Sequence, residues 1–336
     1  AQQGVGLARK IAADIACLFI HRGLVTSPWI HSSDADVRWP SNYFTVSEQT
    51  PPGASALLYP FRHGSPPGDA GLAVQLYELS LRYYVAGLRW AGSPYAIHTV
   101  GSTLAIHYIN YAMVRGFPRR SAGEDFYILN KLAKTGPVRA LPEACLGIAG
   151  RSSDRVPFGT GPACDKILGL ANPIEDYCFY HPRCFEELRK ALESMGRLVQ
   201  SEQPLAQWQN QLERRPRAAF VAVLEDLGMG RALAHARQQS RDPVRFARHL
   251  ATWFDAFRTR KFVHAIRDRY QPSLSLDELL TQAHFFSPLL GSRVIPVGGR
   301  FIQPRLILTR FNRRLLDEEI RRARAAGDFR NESQAG

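Results

Sequence analysis

The chain has 336 residues, of which 45% are hydrophobic and 22% charged. This composition is ordinary for a globular protein, suffices for two domains and excludes an intrinsically disordered polymer. The formal net charge of +13 predicts an anionic partner, which nucleotide diphosphates, phospholipid headgroups or nucleic acid would each provide.

The sequence lacks the marks of a membrane-inserted or exported protein. Its most apolar long stretch, residues 83–114, is interrupted well short of the roughly 18 apolar residues that a membrane span needs. The first residues lack the basic-then-apolar layout of a signal peptide. Five cysteines without a Cys-x-x-Cys pair are typical of a reduced protein. We therefore expect a cytoplasmic protein, whose basic surface permits peripheral membrane contact.

The start of the chain has an α/β pattern. Apolar residues at helical spacing in residues 4–23 predict a helix with one buried face, which Gly23 is placed to end. These residues are Leu7, Ile11, Ile15, Leu18 and Phe19. Residues 27–30 predict a short buried strand that stops at the polar His31. Acidic residues follow the strand, and in open α/β sheets ligands bind beyond such strand ends.

Further patterns predict a loop over residues 48–72, a long helix over 71–91, a strand within 95–108 and a short helix over 126–133. From about residue 164 helical periodicity dominates. Helices are predicted over residues 183–200, 203–214, 217–238, 242–269 and 311–326, and a strand–turn–strand pattern over 293–309. We place a domain boundary so that residues 1–165 form an α/β domain and residues 166–336 a mostly helical one.

Asp34-Ala35-Asp36 lies where the predicted strand ends. Two carboxylates on alternate positions need a bend in the backbone to converge on one ion. Mg²⁺ or Mn²⁺ accepts such oxygen ligands while keeping coordination sites for phosphate oxygens. Such an ion neutralises a diphosphate as a sugar–phosphate bond breaks. The alternative is a solvated turn or a helix N-cap.

The order of these motifs resembles family 2 of the glycosyltransferases, which have the GT-A fold. The helix start Gly4-Val-Gly6-Leu-Ala8-Arg9-Lys10 is similar to that family's Gly-x-x-x-Ala-Arg-Asn pattern, with Lys10 in place of Asn. The resemblance implies that Arg9 lies near the nucleotide or its phosphates. It also implies that Asp34 faces the ribose side and that Asp36 is the main metal ligand. The alternative for Arg9 is a surface helix arginine.

A second stretch continues the resemblance. The family has a Gly-Gly-Phe turn and then a Glu-Asp pair that opens a helix. This chain has Arg115-Gly116-Phe117 followed by Glu124-Asp125, so Arg115 replaces the first turn glycine. An inverting transfer needs a carboxylate that takes the proton of the acceptor hydroxyl, opposite the leaving diphosphate. By resemblance Asp125 is this base, and Glu124 contacts the acceptor or supports the loop; helix capping by an acidic pair is the alternative.

The polar, glycine-rich loop of residues 150–161 contains Arg155. Guanidinium groups match phosphate geometry, so Arg155 is a candidate diphosphate contact, unless it only pairs with Asp154. Processive members of the family carry a Gln-x-x-Arg-Trp segment here. This chain has Phe158 after Arg155, which argues against processive synthesis.

The resemblance covers about residues 4–161 and implies an α/β, GT-A-like (Rossmann-like) mixed sheet with helices, followed by a mostly helical domain. The family's opening strand–helix–strand unit, which grips the nucleotide base, has no counterpart before Gly4. We therefore expect the sheet to lack its first strands and this chain to bind its donor poorly.

The leading hypothesis is an inverting, non-processive glycosyltransferase that uses a nucleoside-diphosphate sugar, Mg²⁺ or Mn²⁺, and an acceptor hydroxyl that the sequence does not identify. The alternative is a catalytically inactive GT-A-like scaffold whose basic helical domain binds a partner or an anionic polymer. A nucleotidyltransferase ranks last, since it would need a phosphate-binding glycine-rich loop near its start. Core packing explains the aromatic, basic helix at residues 253–264 better than nucleic-acid binding does.

Overall fold

The computed structural model describes residues 4–50, 52–150, 159–290 and 304–328, which form a mixed α/β protein with two small sheets and many helices. The helices are α1 Val5–His21, α2 Thr45–Glu48, α3 Gly68–Trp90, α4 Tyr108–Met113, α5 Glu124–Leu132, α6 Thr160–Leu168, α7 Pro173–Asp176, α8 Pro182–Gln200, α9 Pro204–Glu213, α10 Ala219–Asp226, α11 Met229–Gln239, α12 Pro243–Trp253, α13 Ala256–Arg269, α14 Leu276–Gln282, α15 Ser287–Leu290 and α16 Pro304–Asp328. The strands are β1 Trp29–Ser32, β2 Val37–Arg38, β3 Ala56–Leu58, β4 Phe61–His63, β5 Leu104–His107, β6 Val138–Ala140 and β7 Leu146–Ile148.

The chain divides into two compact units. Unit 1 comprises Ala1–Arg82, Ile97–Tyr177 and Leu289–Gly336, and unit 2 comprises Tyr83–Ala96 and Cys178–Pro288. Both sheets belong to unit 1, and unit 2 is helical apart from one isolated bridge. These units are discontinuous in sequence, so the domain boundary near residue 165 stays a prediction. Among the described residues, no helix is both long and apolar enough to cross a membrane.

The two sheets of unit 1 meet at the acidic turn. The larger sheet has the strand order β1-β5-β3-β6, and the smaller one β2-β7-β4. In the larger sheet β5 is antiparallel to β1 and to β3, whereas β6 runs parallel to β3. Strand β1 thus ends in one sheet and β2 begins in the other. Asp34-Ala35-Asp36 forms the connection between them.

Packing of α5 against the larger sheet positions the Glu-Asp pair. Leu104 and Ile106 of β5 are fully buried, as are Ile128 and Leu129 of α5, and all four belong to one apolar cluster. Each such side chain contributes about 1.5–3 kcal/mol when it leaves water. The first turn of α5, which carries Glu124, is therefore held at this sheet.

The predicted helix over residues 4–23 is confirmed by α1, but the prediction that its apolar face is buried is wrong. The buried residues of α1 are Gly6 and Ala13. Four of the five apolar residues that defined the predicted face are exposed, namely Ile11, Ile15, Leu18 and Phe19. Helical periodicity identifies an apolar stripe on a helix but not what covers it.

Other predictions were wrong where elements are short or interrupted. The predicted loop over residues 48–72 contains β3 and β4, each of only three residues, too short for a periodic signal. The predicted helix over residues 217–238 is broken at Gly228, which has a φ of +89°. The one over 242–269 breaks at Asp255, whose side chain accepts a hydrogen bond from the Arg258 N–H at 3.2 Å and caps α13.

The strand–turn–strand prediction over residues 293–309 is wrong in its final part, because residues 304–309 belong to α16. The remainder of that segment lies outside the described residues. The predicted long helix over 71–91 is confirmed by α3, and the short helix over 126–133 by α5.

Candidate functional site

Two glycines allow the start of α1 to lie directly on the loop that leads to α5. A Cβ atom on Gly4 would lie 2.3 Å from the Ser121 Cα, and one on Gly6 would lie 2.4 Å from the Pro118 carbonyl oxygen. The Gly6 N–H donates to the Arg120 carbonyl oxygen at 3.0 Å. Any side chain would separate these backbones. The close approach brings Arg9, one turn further along α1, to the N-terminus of α5.

Arg9 joins three separate parts of unit 1. Its Nε donates to Glu124 Oε1 at 2.9 Å, its Nη1 to Ser32 Oγ at 2.7 Å and its Nη2 to Asp34 Oδ1 at 2.5 Å. The Arg9 side chain is only 11% exposed, whereas that of Asp34 is 49% exposed. Charge-assisted bonds to a fixed guanidinium are strong and directional. We call Arg9, Ser32, Asp34, Glu124 and Asp125 the Arg9 cluster.

Ser32, the last residue of β1, is a member of this cluster that the sequence did not single out. Its Oγ donates to the Gly101 carbonyl oxygen at 2.9 Å while it accepts from Arg9. A Cβ atom on Gly101 would lie 3.1 Å from Arg9 Nη2 and 3.4 Å from Asp125 Oδ2. Gly101 therefore lies between the arginine and the candidate base. The one sequence signal for Ser32 was its place two residues before Asp34.

Asp125 has the perturbed acidity expected of a proton acceptor near neutral pH. Burial and the neighbouring Glu124 raise its pKa from 3.8 to about 6, although backbone hydrogen bonds and Arg9 oppose the shift. The Phe126 N–H donates to Asp125 Oδ1 at 2.7 Å. Gly123 precedes the helix with a φ of +73°, which favours glycine. The carboxylate is thus held at the helix N-terminus by backbone donors.

The Asp34-Ala35-Asp36 segment is a tight turn, in which the Val37 N–H donates to the Asp34 carbonyl oxygen at 3.2 Å. Asp34 uses Oδ1 to accept from Arg9. Within the described residues no group of three or more His, Cys, Asp or Glu side chains is arranged to hold a metal ion. Mg²⁺ commonly binds through one or two carboxylates together with substrate phosphates. Asp34 and Asp36 offer two carboxylates in one turn, so a cation held there would need phosphate oxygens to complete its ligands.

The turn after α4 keeps the geometry that two glycines would adopt, although its first residue is arginine. Arg115 has a φ of +63° and Gly116 a φ of +71°. Lys10 Nζ donates to the Arg115 carbonyl oxygen at 3.2 Å, which ties this turn to α1. Neither departure from the family pattern, Lys10 or Arg115, disrupts the local structure. Arg155, the remaining predicted donor contact, lies outside the described residues.

An aromatic group borders the acidic turn. The Trp39 indole N–H donates to Ser33 Oγ at 2.8 Å, and its ring stacks on Tyr43 with a centroid separation of 5.6 Å. Burial lowers the pKa of His31, which packs against Tyr43 and Phe44, to about 4, so this imidazole is neutral at pH 7. It therefore adds no charge beside the two aspartates.

A second charged cluster in unit 1 has a fully buried arginine, and its more exposed carboxylate, that of Glu319, is 17% exposed. The fully buried Arg82 donates to Glu78 Oε1 at 2.8 Å, to Glu319 Oε2 at 2.6 Å and to the Phe61 carbonyl oxygen at 2.6 Å. The buried His63 contacts the other Glu78 oxygen through Nδ1 at 2.9 Å. We call these residues the Arg82 cluster.

Glu78 is strongly acidic. Burial alone would raise its pKa, but hydrogen bonds from His63 and the charge of Arg82 outweigh burial and lower the pKa to about 2. Glu78 is therefore ionised throughout the physiological range. It is matched to its cation rather than poised to exchange a proton.

No known family model, curated protein or solved structure matches this chain. The geometry of the Arg9 cluster and the order of the motifs that form it are therefore the two observations that bear on function. Of the six site residues predicted from the sequence, the structure brings Arg9, Asp34, Glu124 and Asp125 to one place. It puts Asp36 in the same turn as Asp34.

Proposed function

We propose that this chain is an inverting, non-processive glycosyltransferase with a GT-A-like core, which moves a sugar from a nucleoside-diphosphate sugar to an acceptor hydroxyl. The observation that carries the proposal is the convergence on Arg9. A helix start, a strand end and a Glu-Asp pair that begins 115 residues after Arg9 meet around one guanidinium. These are the elements whose order resembles family 2 of the glycosyltransferases.

The donor side of the proposed site is the acidic turn. Asp34 and Asp36 would hold Mg²⁺ or Mn²⁺ together with the donor's phosphate oxygens. Such an ion supplies Lewis-acid stabilisation of the leaving diphosphate. Arg9 fixes Asp34 and Glu124 in position and provides a positive charge beside a ligand that is strongly negative.

The acceptor side is Asp125. Its carboxylate takes the proton of the acceptor hydroxyl as the hydroxyl oxygen bonds to the anomeric carbon. The bond from that carbon to the diphosphate breaks at the same time, and its electron pair leaves with the nucleoside diphosphate. A pKa raised to about 6 makes Asp125 a stronger base than an ordinary aspartate while leaving it mostly ionised at pH 7.

One observation favours the second candidate, an inactive GT-A-like scaffold whose basic helical domain binds a partner or an anionic polymer. Arg9 already neutralises two carboxylates, and the described part of the chain offers no complete metal ligand group. In such a scaffold the Arg9 cluster would only stabilise the fold. The two candidates differ in whether the chain turns over a nucleoside-diphosphate sugar.

Release of the nucleoside diphosphate from a panel of UDP- and GDP-sugars, with Mn²⁺ and mixed sugar acceptors, tests the proposal. We expect Asp125→Asn to lower the rate by about 10²–10⁴-fold, which is the usual contribution of a general base. Asp277→Asn is a matched control, because Asp277 also lies in the first turn of a helix but is exposed. No turnover by the folded wild type would favour the inactive scaffold, whereas equal rates in the two variants would show that Asp125 is not the base.

A further inference from the structure

Apolar side chains are exposed along α1, in the loop that follows it and on the neighbouring α4. Their exposed fractions are between 41% and 68%. They are Ile11, Ile15, Leu18, Phe19, Leu24, Val25, Ile109 and Met113. We call this set the α1 surface. Single exposed apolar residues are normal, but eight of them on one helix, its following loop and a helix packed against it mark an interaction site.

The two helices are joined in a way that leaves this surface free. α4 contacts α1 along Lys10, Asp14 and Cys17: the Tyr111 hydroxyl donates to Asp14 Oδ1 at 2.7 Å, and Cys17 Sγ donates to the Tyr108 carbonyl oxygen at 3.7 Å. The apolar stripe of α1 is shifted by one residue from that line, and so by about 100° around the helix. It therefore lies on the face next to α4, away from the core side that carries Ala13.

The charged residues next in sequence to the α1 surface are basic, apart from Asp14. Exposed basic residues follow both apolar segments, namely His21, Arg22, Arg115, Arg119 and Arg120. The acidic residue of α1 is Asp14, and it pairs with Lys10 at 3.1 Å. Residues 108–121, which contain α4, have no acidic side chain. An apolar stripe flanked by cations is the composition of helices that lie in the interface of an anionic membrane.

We propose that the α1 surface docks on an anionic lipid bilayer, with its apolar side chains in the headgroup–acyl boundary and the flanking arginines at lipid phosphates. A second copy of the chain fits less well, because symmetric pairing of this surface would bring the same arginines together. This inference is independent of the proposed glycosyl transfer.

Co-sedimentation of the full chain with vesicles tests it. We expect binding to phosphatidylcholine vesicles that contain phosphatidylserine to exceed binding to pure phosphatidylcholine vesicles by about ten-fold. Ile15→Glu and Phe19→Glu, both at exposed positions, should each lower the bound fraction by about ten-fold. Arg22→Glu should reduce binding to the anionic vesicles alone. The matched control is Val244→Glu, at a position that is 68% exposed in α12, which should bind like the wild type.

Three outcomes would overturn the inference. The first is no vesicle binding by the wild type. The second is binding that Ile15→Glu and Phe19→Glu leave unchanged, since this would show that charge alone is responsible. The third is concentration-dependent self-association that these variants abolish while vesicle binding persists, which would assign the surface to a second copy. Circular dichroism of each variant verifies that the fold is intact.

Discussion

The Arg9 and Arg82 clusters are built from the same parts and have opposite characters. In each, one nearly buried arginine binds two carboxylates from distant parts of unit 1. Around Arg82 the charges are matched, the arginine and Glu78 are buried, and Glu78 has a pKa lowered to about 2. Around Arg9 one carboxylate partner is exposed, and the adjacent Asp125 has a pKa raised to about 6.

The difference separates a structural ion cluster from a candidate active site. A matched buried cluster holds every charge in its most stable state, so removal of one member leaves an uncompensated charge. A site for chemistry keeps a carboxylate that is unfavourable in the unliganded fold, because that carboxylate must accept a proton or a ligand. Substitutions in the two clusters should therefore change stability in opposite directions.

The largest effect on stability is expected in the Arg82 cluster. Arg82→Met should lower the free energy of unfolding by about 3–5 kcal/mol, because Glu78 and Glu319 lose their shared cation in a buried site. Urea denaturation at pH 7 measures the change. Arg189→Met is a control with a half-exposed arginine that pairs with Glu193, and it should cost less than about 1 kcal/mol. A similar small loss for both variants would contradict the distinction between the clusters.

A substitution in the Arg9 cluster should change the free energy of unfolding in the opposite direction. The folded pKa of Asp125, about 6, lies above its ordinary value of 3.8, so the wild type loses stability as the pH rises through about 6. Asn imitates the neutral acid. Asp125→Asn should therefore raise the free energy of unfolding by about 1–3 kcal/mol at pH 7, and by almost nothing below pH 4.

Denaturation of wild type, Asp125→Asn and Asp277→Asn at several pH values measures this difference. Asp277→Asn should show no comparable gain, because Asp277 is exposed. A loss of stability in Asp125→Asn at pH 7 would mean that the ionised carboxylate supports the fold, as Glu78 does.

The pH dependence of turnover tests whether the perturbed carboxylate of the Arg9 cluster acts as the base. The proposed base acts as a carboxylate, so kcat/KM should rise with pH and level off above a pKa of about 6. Steady-state rates between pH 5 and 8 measure the profile. A plateau that extends down to pH 5 would assign the base to an ordinary carboxylate rather than to Asp125.

The smallest effect concerns the turn that connects α4 to the site. Arg115 adopts a φ of +63°, and a residue with a Cβ atom in this region costs about 1–2 kcal/mol relative to glycine. Arg115→Gly should therefore raise the free energy of unfolding by about 1 kcal/mol. Thermal denaturation would record this gain as a modest rise in melting temperature. Arg119→Gly is the control, because Arg119 is exposed and is not among the residues with positive φ. No gain in Arg115→Gly would show that the arginine side chain itself stabilises the turn.

Arg9, Asp34 and Glu124 were assigned to one site from the order of the motifs, but contact of the two carboxylates with the arginine was not predicted. Asp34 and Glu124 lie 25 and 115 residues from Arg9, yet both contact its guanidinium. Charged residues in a fixed order along the chain can be compared with a family pattern, which is how these three were selected. Ser32 and Gly101 could not be predicted in the same way. A hydroxyl that bridges two elements, or a glycine that makes room for them, has no signature outside the folded structure.

Whether an apolar helix face is buried or exposed was less predictable from the sequence. α8 and α1 both have apolar stripes, but α8 buries Phe185 and Leu188 whereas α1 exposes Ile11 and Ile15. Spacing within one helix is a local property, and burial depends on which other elements lie against it. The three-residue strands β3 and β4 were missed for a related reason, since their pairing partners are distant in sequence.

We propose that the Arg9 cluster and the acidic turn form a metal-dependent site for a nucleoside diphosphate. Calorimetric titration of UDP and GDP, with and without Mn²⁺, tests it on wild type, Asp36→Ala and the control Asp277→Asn. We expect weak binding that requires Mn²⁺, is lost in Asp36→Ala and is retained in the control. Two results would contradict this proposal: no Mn²⁺-dependent binding by the folded wild type, or Mn²⁺-dependent binding that persists in Asp36→Ala.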